Sequence, residues 1–121
     1  MTTFLLDSTV CNHKSRVVAT FDAGAILFAV ESSCPLVKEF ARALSSSPLK
    51  VRDITKKICE NPIYIKATEN SLHPNCIVPC GVAMCAWTEA GLVSKTLLER
   101  FPAQCVRYEK GGGREIDLSK S

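Results

Sequence analysis

Hydrophobic and polar positions alternate through the first quarter of the chain. "KSRVVATF" and "AILFAVES" are rich in Val, Ile, Phe and Ala, and Asp22-Ala23-Gly24 separates them. Two such runs joined by a short glycine-containing turn predict a β-hairpin, with Gly24 free to take positive φ. The preceding run "TTFLLDSTV" predicts a third strand, which leaves Cys11 in the connection "CNHKS".

The period changes after Ser32. In "SSCPLVKEFARAL", Leu36, Val37, Phe40, Ala41 and Leu44 recur at helical spacing. Pro35 suits the first helical position, with Ser32, Ser33 or Cys34 as the cap. "SSSPLK" interrupts that helix and "VRDITKKICE" predicts a second, shorter one. "NPIYIKATENSL" carries both signals: Ile63, Ile65 and Ala67 alternate as in a strand, while Asn61-Pro62 is a helix start. Helix is the favoured reading over residues 62–70.

The longest helix is expected from Pro79 to about Val93. Val82, Ala83, Met84, Ala86, Trp87 and Ala90 cover nearly its whole circumference, and a helix apolar on almost every side is a buried one. Beyond Gly91, "SKTLLERF" predicts a short helix or turn ending at Pro102. "AQCVRYE" then reads as a final strand and "KGGGREIDLSKS" as a flexible tail. Together these elements predict an α+β fold. A small antiparallel sheet of about three strands, with a C-terminal strand added, packs against three to four helices, one of them buried. Residues 1–110 form a single domain without internal repeats, and 111–121 form the tail.

Composition is consistent with this picture. At 121 residues the chain suits one domain that hides roughly two thirds of its unfolded surface. Apolar residues at 46% and charged residues at 22% are ordinary for a globular protein. The net charge of +3 is mild. Its densest basic group, Lys50, Arg52, Lys56 and Lys57, reads as the wet face of a helix, and without interleaved aromatics it does not point to nucleic acid. "MTTFLLDS" has no basic leader and no run approaches a membrane span, so the expected address is the cytoplasm, where thiols stay reduced.

The candidate chemistry lies in seven cysteines, an odd number that argues against a closed disulfide framework. Cys11 lies in a loop beside His13, Cys34 precedes Pro35 at a helix start, and Cys76 stands in a proline-bracketed loop ahead of the long helix. A helix N-terminus offers unpaired N–H donors that lower a nearby cysteine pKa. Cys80 lies in the first turn of the long helix. Cys80 and Cys85 are five residues apart, about 140° around the helix axis, so they do not share a face. The triplet Cys76, Cys80, Cys85 thus reads as a candidate pair plus a core residue. Cys59, Cys85 and Cys105 are expected to be buried, as small hydrophobes. His13 and His73 are the only histidines, each a candidate ligand or base in a polar loop.

The order of these residues resembles that of iron–sulfur cluster scaffold proteins of the IscU/NifU type. In that family one cysteine sits in a loop of a three-stranded sheet and a second at the start of the next helix. A third, accompanied by a histidine, precedes a later helix. Cys11, Cys34 and Cys76 with His73 follow that order over roughly residues 3–93. The resemblance implies cluster binding by those thiolates. It is one of layout: "VCNHKS" replaces the scaffold's glycine-rich surroundings and its aspartate two residues on, His73 does not adjoin Cys76, and Cys80 is extra. The pieces "SSCP" and "C-x-V-P-C-G…EAGL" resemble a small uncharacterised prokaryotic domain family.

Three functions compete at this stage. The leading expectation is a small cytoplasmic metal- or iron–sulfur-cluster-binding protein, zinc being the other soft-metal candidate. Its ligands would be Cys11, Cys34 and Cys76, with Cys80 or His73 as the fourth. The second is metal-free thiol redox chemistry with Cys34 as nucleophile and Cys76 or Cys80 as resolving partner. The third is an interaction domain for a protein partner, its cysteines all structural. A GxSxG elbow, a phosphate-binding loop and a dinucleotide fingerprint are all missing from the sequence.

Overall fold

The structure is a computed structural model that describes residues 1–111. Three strands, β1 (Thr2–Ser8), β2 (His13–Asp22) and β3 (Ala25–Ser32), form an antiparallel sheet in the order β1-β2-β3. Ala23 and Gly24 make the two-residue hairpin loop, both at positive φ (51° and 81°). Positive φ at both central residues matches the right-handed twist of the flanking strands; glycine takes it freely, whereas alanine is strained there. At the other end of β2, Thr9–Asn12 close the β1–β2 turn, with Asn12 at φ 59° and its N–H donating to the Thr9 carbonyl. Asparagine tolerates that conformation better than most residues.

Alternation sets the buried face. Leu6, Val17, Ala19, Ile26 and Phe28 point into the core, while Leu5, Arg16 and Leu27 point away. Two helices cover the inner face, α1 (Pro35–Ser45) and α4 (Val78–Glu89); α2 (Val51–Ile54), a 3₁₀ turn at Ile58–Glu60 and α3 (Pro62–Glu69) pack around them, and α5 (Lys95–Arg100) buries none of its residues. In α1, Val37, Phe40 and Leu44 are buried, whereas Leu36 lies at the rim and is exposed. The segment that carried both signals is helical: Asn61 caps α3, its side chain accepting from the Ile63 N–H, and Pro62 supplies a preset φ.

Asn61 also ties the short elements together. Its side-chain amide donates to the carbonyls of Ile54 (3.0 Å) and Lys56 (3.2 Å), and the Trp87 indole donates to Ile54 as well (2.8 Å). The end of α2 is therefore closed by side chains from α4 and from the cap of α3, which satisfies buried carbonyls that a four-residue helix cannot.

Two expectations need correction. The C-terminal strand is absent: residues 102–109 have no regular structure, pair with neither edge of the sheet and are exposed. Nor is α4 buried on nearly every side. Val78, Gly81, Val82, Cys85, Ala86 and Thr88 form its buried face, while Cys80 and Trp87 remain exposed on the far flank. Uniform apolarity gave no stripe from which to read that face. The expected tail lies, from residue 112 onward, outside the described residues.

The course of α4 positions the candidate site. At its C-terminal end, Glu89 accepts hydrogen bonds from the Thr2 hydroxyl (2.7 Å) and the Phe21 N–H (2.9 Å) and pairs with the Met1 ammonium (3.1 Å). Those partners mark the beginning of β1 and the end of β2. Midway, the Cys85 thiol donates to the Thr2 carbonyl at 3.2 Å, and Gly81 lies against Leu6 late in β1. The helix thus runs the length of the sheet, and its N-terminus reaches the end where β1 finishes, β2 begins and β3 finishes. Among the described residues no helix is long and apolar enough to cross a membrane.

Candidate functional site

Antiparallel pairing brings two chain-distant cysteines to that end. The pair Ser8–His13 closes the turn bearing Cys11, and the pair Ser15–Ser32 stands just ahead of Cys34. The direction of α4 brings Cys76 there as well. Three cysteines separated by 23 and 42 positions along the chain therefore converge on one end of the domain.

Each thiol is held differently. Cys11 is exposed on its turn, its thiol donating to the Ser8 carbonyl at 3.4 Å. Cys34 is half-buried against the core at the N-cap of α1, and its N–H donates to the Ser32 hydroxyl at 3.0 Å. Its sulfur accepts no cap bond from the helix, so the expected thiolate-stabilising contact is not made there. Cys76 sits in a turn closed by its own N–H to the His73 carbonyl (3.0 Å), half-buried against the core.

The electrostatics of Cys76 reflect this placement. Burial pushes its thiol pKa up, and the negative charge of Cys11 and Cys34 adds to that rise. The Val78 N–H, at the start of α4, bonds the sulfur and pulls the other way. Burial wins, so a helix start alone does not make this thiol acidic. Cys76 is accordingly a thiol at neutral pH.

Beside them, His13 opens β2 half-buried, its Nδ1 2.9 Å from the Ser33 hydroxyl. That hydroxyl also accepts from the Lys14 N–H at 3.4 Å, and the Ser33 N–H donates to the Lys14 carbonyl. These bonds stitch the segment after Cys11 to the residue before Cys34.

The remaining candidates stand apart from the trio. Cys80 is exposed on α4, where its charge is felt by the half-buried Tyr64 and the Gln104 amide approaches its sulfur at 4.0 Å. His73 is exposed and lines a shallow cleft of about 220 Å³ together with Tyr64, Leu72, Cys59, Cys76 and Pro79. Cys59 and Cys105, expected to be buried, are exposed: the former sits on a 3₁₀ turn at the surface and the latter in the unpaired C-terminal segment. Cys85 is fully buried as expected, and burial carries its pKa up to about 11, which leaves it inert.

Among the described residues, no three His, Cys, Asp or Glu side chains are gathered as they stand into a group that could hold a metal ion. The donor set nonetheless has the right chemistry for a soft metal: three thiols at one end, one of them on a short exposed turn. The pairing bond between His13 and Ser33 had no sequence signal beyond the proximity of His13 to Cys11. The exposure of Cys59 was not legible because "VRDITKKICE" reads as one helix, whereas Cys59 sits on a separate 3₁₀ turn at the surface.

Comparison with known proteins gives a family. Residues 2–101 match DUF6951, a family of unknown function. The chain belongs to DUF6951. No curated protein and no solved structure matches it. The matched span runs from the first strand to the end of α5, so it contains Cys11, Cys34 and Cys76 and excludes Cys105.

Proposed function

We propose that this DUF6951 domain binds a soft metal ion or an iron–sulfur cluster through the thiolates of Cys11, Cys34 and Cys76. The observation that carries the reading is their convergence, from a sheet turn, a helix cap and an inter-helix loop, on one end of the fold. Thiolates select zinc, copper(I) or iron–sulfur clusters over hard cations. With the three thiols at one end of the fold but not gathered into a ligand cage, binding draws the Cys11 turn and the Cys76 loop inward, and release needs only the reverse. A transiently held cargo fits that arrangement better than a permanent structural ion, whose site is closed. The layout shared with the IscU/NifU-type scaffolds supports the same reading, in the reducing cytoplasm where thiols persist.

Metal binding must also deprotonate the thiols. At Cys76 that step works against burial, which favours the neutral form. The test is anaerobic purification, metal and sulfide analysis, and a visible spectrum of the wild type beside Cys34→Ser. Stoichiometric metal or cluster that is lost in the variant is the expected result. A colourless, metal-free and fully folded wild-type protein that takes up neither added zinc nor reconstituted cluster would overturn the reading.

A further inference from the structure

The two edges of the sheet differ. The β3 edge is closed: the Ile26 N–H donates to the Leu49 carbonyl at 2.7 Å, and the Leu49 N–H returns the bond at 3.0 Å. The β1 edge has no such partner. Among the described residues, no backbone–backbone hydrogen bond of Thr2–Ser8 goes to anything but β2. The strand pairs without a break from Thr2–Ala19 to Ser8–His13, so no bulge twists its edge away, and it holds neither proline nor lysine. Bulges, prolines and lysines are the devices that keep an edge strand from adding another. Beside the first half of β1 runs an open groove of about 480 Å³, lined by Met1, Thr3, Leu5, Lys95, Leu98 and Pro102. Its far wall is α5, which buries none of its residues; Leu97 and the Phe101 that ends it are 52% and 60% exposed.

We propose that the free edge of β1 takes the β1 strand of a second copy of this chain, antiparallel about a two-fold axis at Leu5, so that two sheets join into one of six strands. The strand is self-complementary in that register. The partner's Leu5 lies opposite Leu5, the partner's Leu6 opposite Phe4 and the partner's Asp7 opposite Thr3, each pair on one face of the joined sheet. Apolar side chains meet on both faces, and no like charges are opposed. The charges also agree: Asp7, with its cross-strand neighbour Lys14, arrives at the groove that carries Lys95 and Glu99. Because α5 flanks only Met1–Leu5, the two-fold brings the partner's α5 over Leu6–Ser8. The two helices then lie side by side above the joined strands, where Leu97 and Phe101 gain cover. A pairing of this kind uses up both free edges and stops at two copies.

Sedimentation equilibrium under reducing conditions, which keep the exposed Cys59 and Cys105 from cross-linking chains, tests the proposal. The wild type is expected to associate reversibly to twice the chain mass of 13.2 kDa and no further. Leu5 is 76% exposed, so Leu5→Lys leaves the core intact while opposing two lysines at the axis; it should weaken the dimer by about 10-fold or more. Thr3→Lys, which meets the partner's Asp7 twice, should tighten the dimer by about 2-fold or more, and Thr3→Lys/Asp7→Lys should reverse that gain. Leu27→Lys, on the same outer face but on β3, should leave the dimer unchanged. Circular dichroism checks the fold of each variant, and the Thr3 variants carry the test if Leu5→Lys does not fold. A dimer lost in Leu27→Lys but kept in Leu5→Lys docks through the sheet face and overturns the proposal. So does an association indifferent to Thr3 and Leu5, or one that grows past two copies. A wild type that stays monomeric into the high micromolar range overturns it too; protection of the β1 edge amides from hydrogen exchange in that monomer would assign the edge to the chain's own residues 103–109 instead.

Discussion

Gly81 should not tolerate even a methyl group. It lies on the buried face of α4, where the helix crosses β1. A Cβ built there would come within 2.7 Å of Leu6 Cδ1 and 3.0 Å of Cγ, and closer still to Cδ2. Two effects oppose one another in Gly81→Ala. Alanine favours a helix interior over glycine by about 1 kcal/mol. Against this, Leu6 is 4% exposed and cannot swing its branched end into solvent, so the clash must be absorbed by an off-rotamer side chain or by a shift of α4. Overpacking of that kind costs roughly 1–3 kcal/mol. The clash involves several atoms of a buried side chain and should win, leaving a net loss of up to about 2 kcal/mol. Urea denaturation at fixed m-value measures it. The double variant Leu6→Ala/Gly81→Ala supplies the cycle: Leu6→Ala alone costs about 2–5 kcal/mol, but the added methyl then fills space and the two changes should couple favourably by about 1 kcal/mol or more. A Gly81→Ala protein more stable than wild type by the helix-propensity increment would refute the close α4–β1 approach, and with it the path that brings Cys76 to Cys11 and Cys34.

Three other outcomes follow from named contacts. Asp and Asn are equivalent as caps, so Asn61→Asp would be silent if capping α3 were its only task; facing the Ile54 and Lys56 carbonyls, the carboxylate should instead destabilise by about 2–4 kcal/mol in chemical denaturation. For Glu89, burial alone would raise the pKa, but the Thr2 hydroxyl, the Phe21 N–H and the Met1 ammonium outweigh it and bring it down to about 2. Because the folded pKa lies below the unfolded one, its stabilisation is complete above about pH 4.5 and is lost as pH falls toward 2. Glu89→Gln should therefore cost about 1–2 kcal/mol at neutral pH, allowing for solvent at the rim, and the gap to wild type should close across that acid window in pH-dependent melts. Burial also raises the Cys76 pKa, so protons compete with metal there beyond neutrality: apparent zinc affinity should keep climbing as pH rises above 7, more steeply than in Cys76→Ser, when measured by chelator competition.

Local signals carried most of the architecture. The hairpin was legible because a glycine turn separates two β-branched runs, and α1 and α3 because proline follows a capping position in each. The α+β class and the placement of Cys34 at a helix start followed from these alone. What the sequence could not supply was tertiary. Alternation in "AQCVRYE" describes a strand only if the segment docks on a sheet edge, and it pairs with neither β1 nor β3. The apolar circumference of α4 concealed which flank meets the sheet, and so concealed that Cys80 lies exposed on the other flank. The expectation that helix starts lower the thiol pKa failed at Cys76 for a quantitative reason: one N–H from Val78 is outweighed by burial and by two neighbouring cysteines. The convergence of Cys11, Cys34 and Cys76 required strand pairing and helix direction, neither of which spacing encodes.

The central claim, that three chain-distant thiols serve one site, is tested most directly by X-ray absorption at the zinc edge of the zinc-loaded protein. Three sulfur neighbours at about 2.3 Å and one lighter donor are expected, with the sulfur count falling to two in Cys11→Ser. Fewer than three sulfurs in the wild type, or a count indifferent to the loss of Cys11, would contradict it.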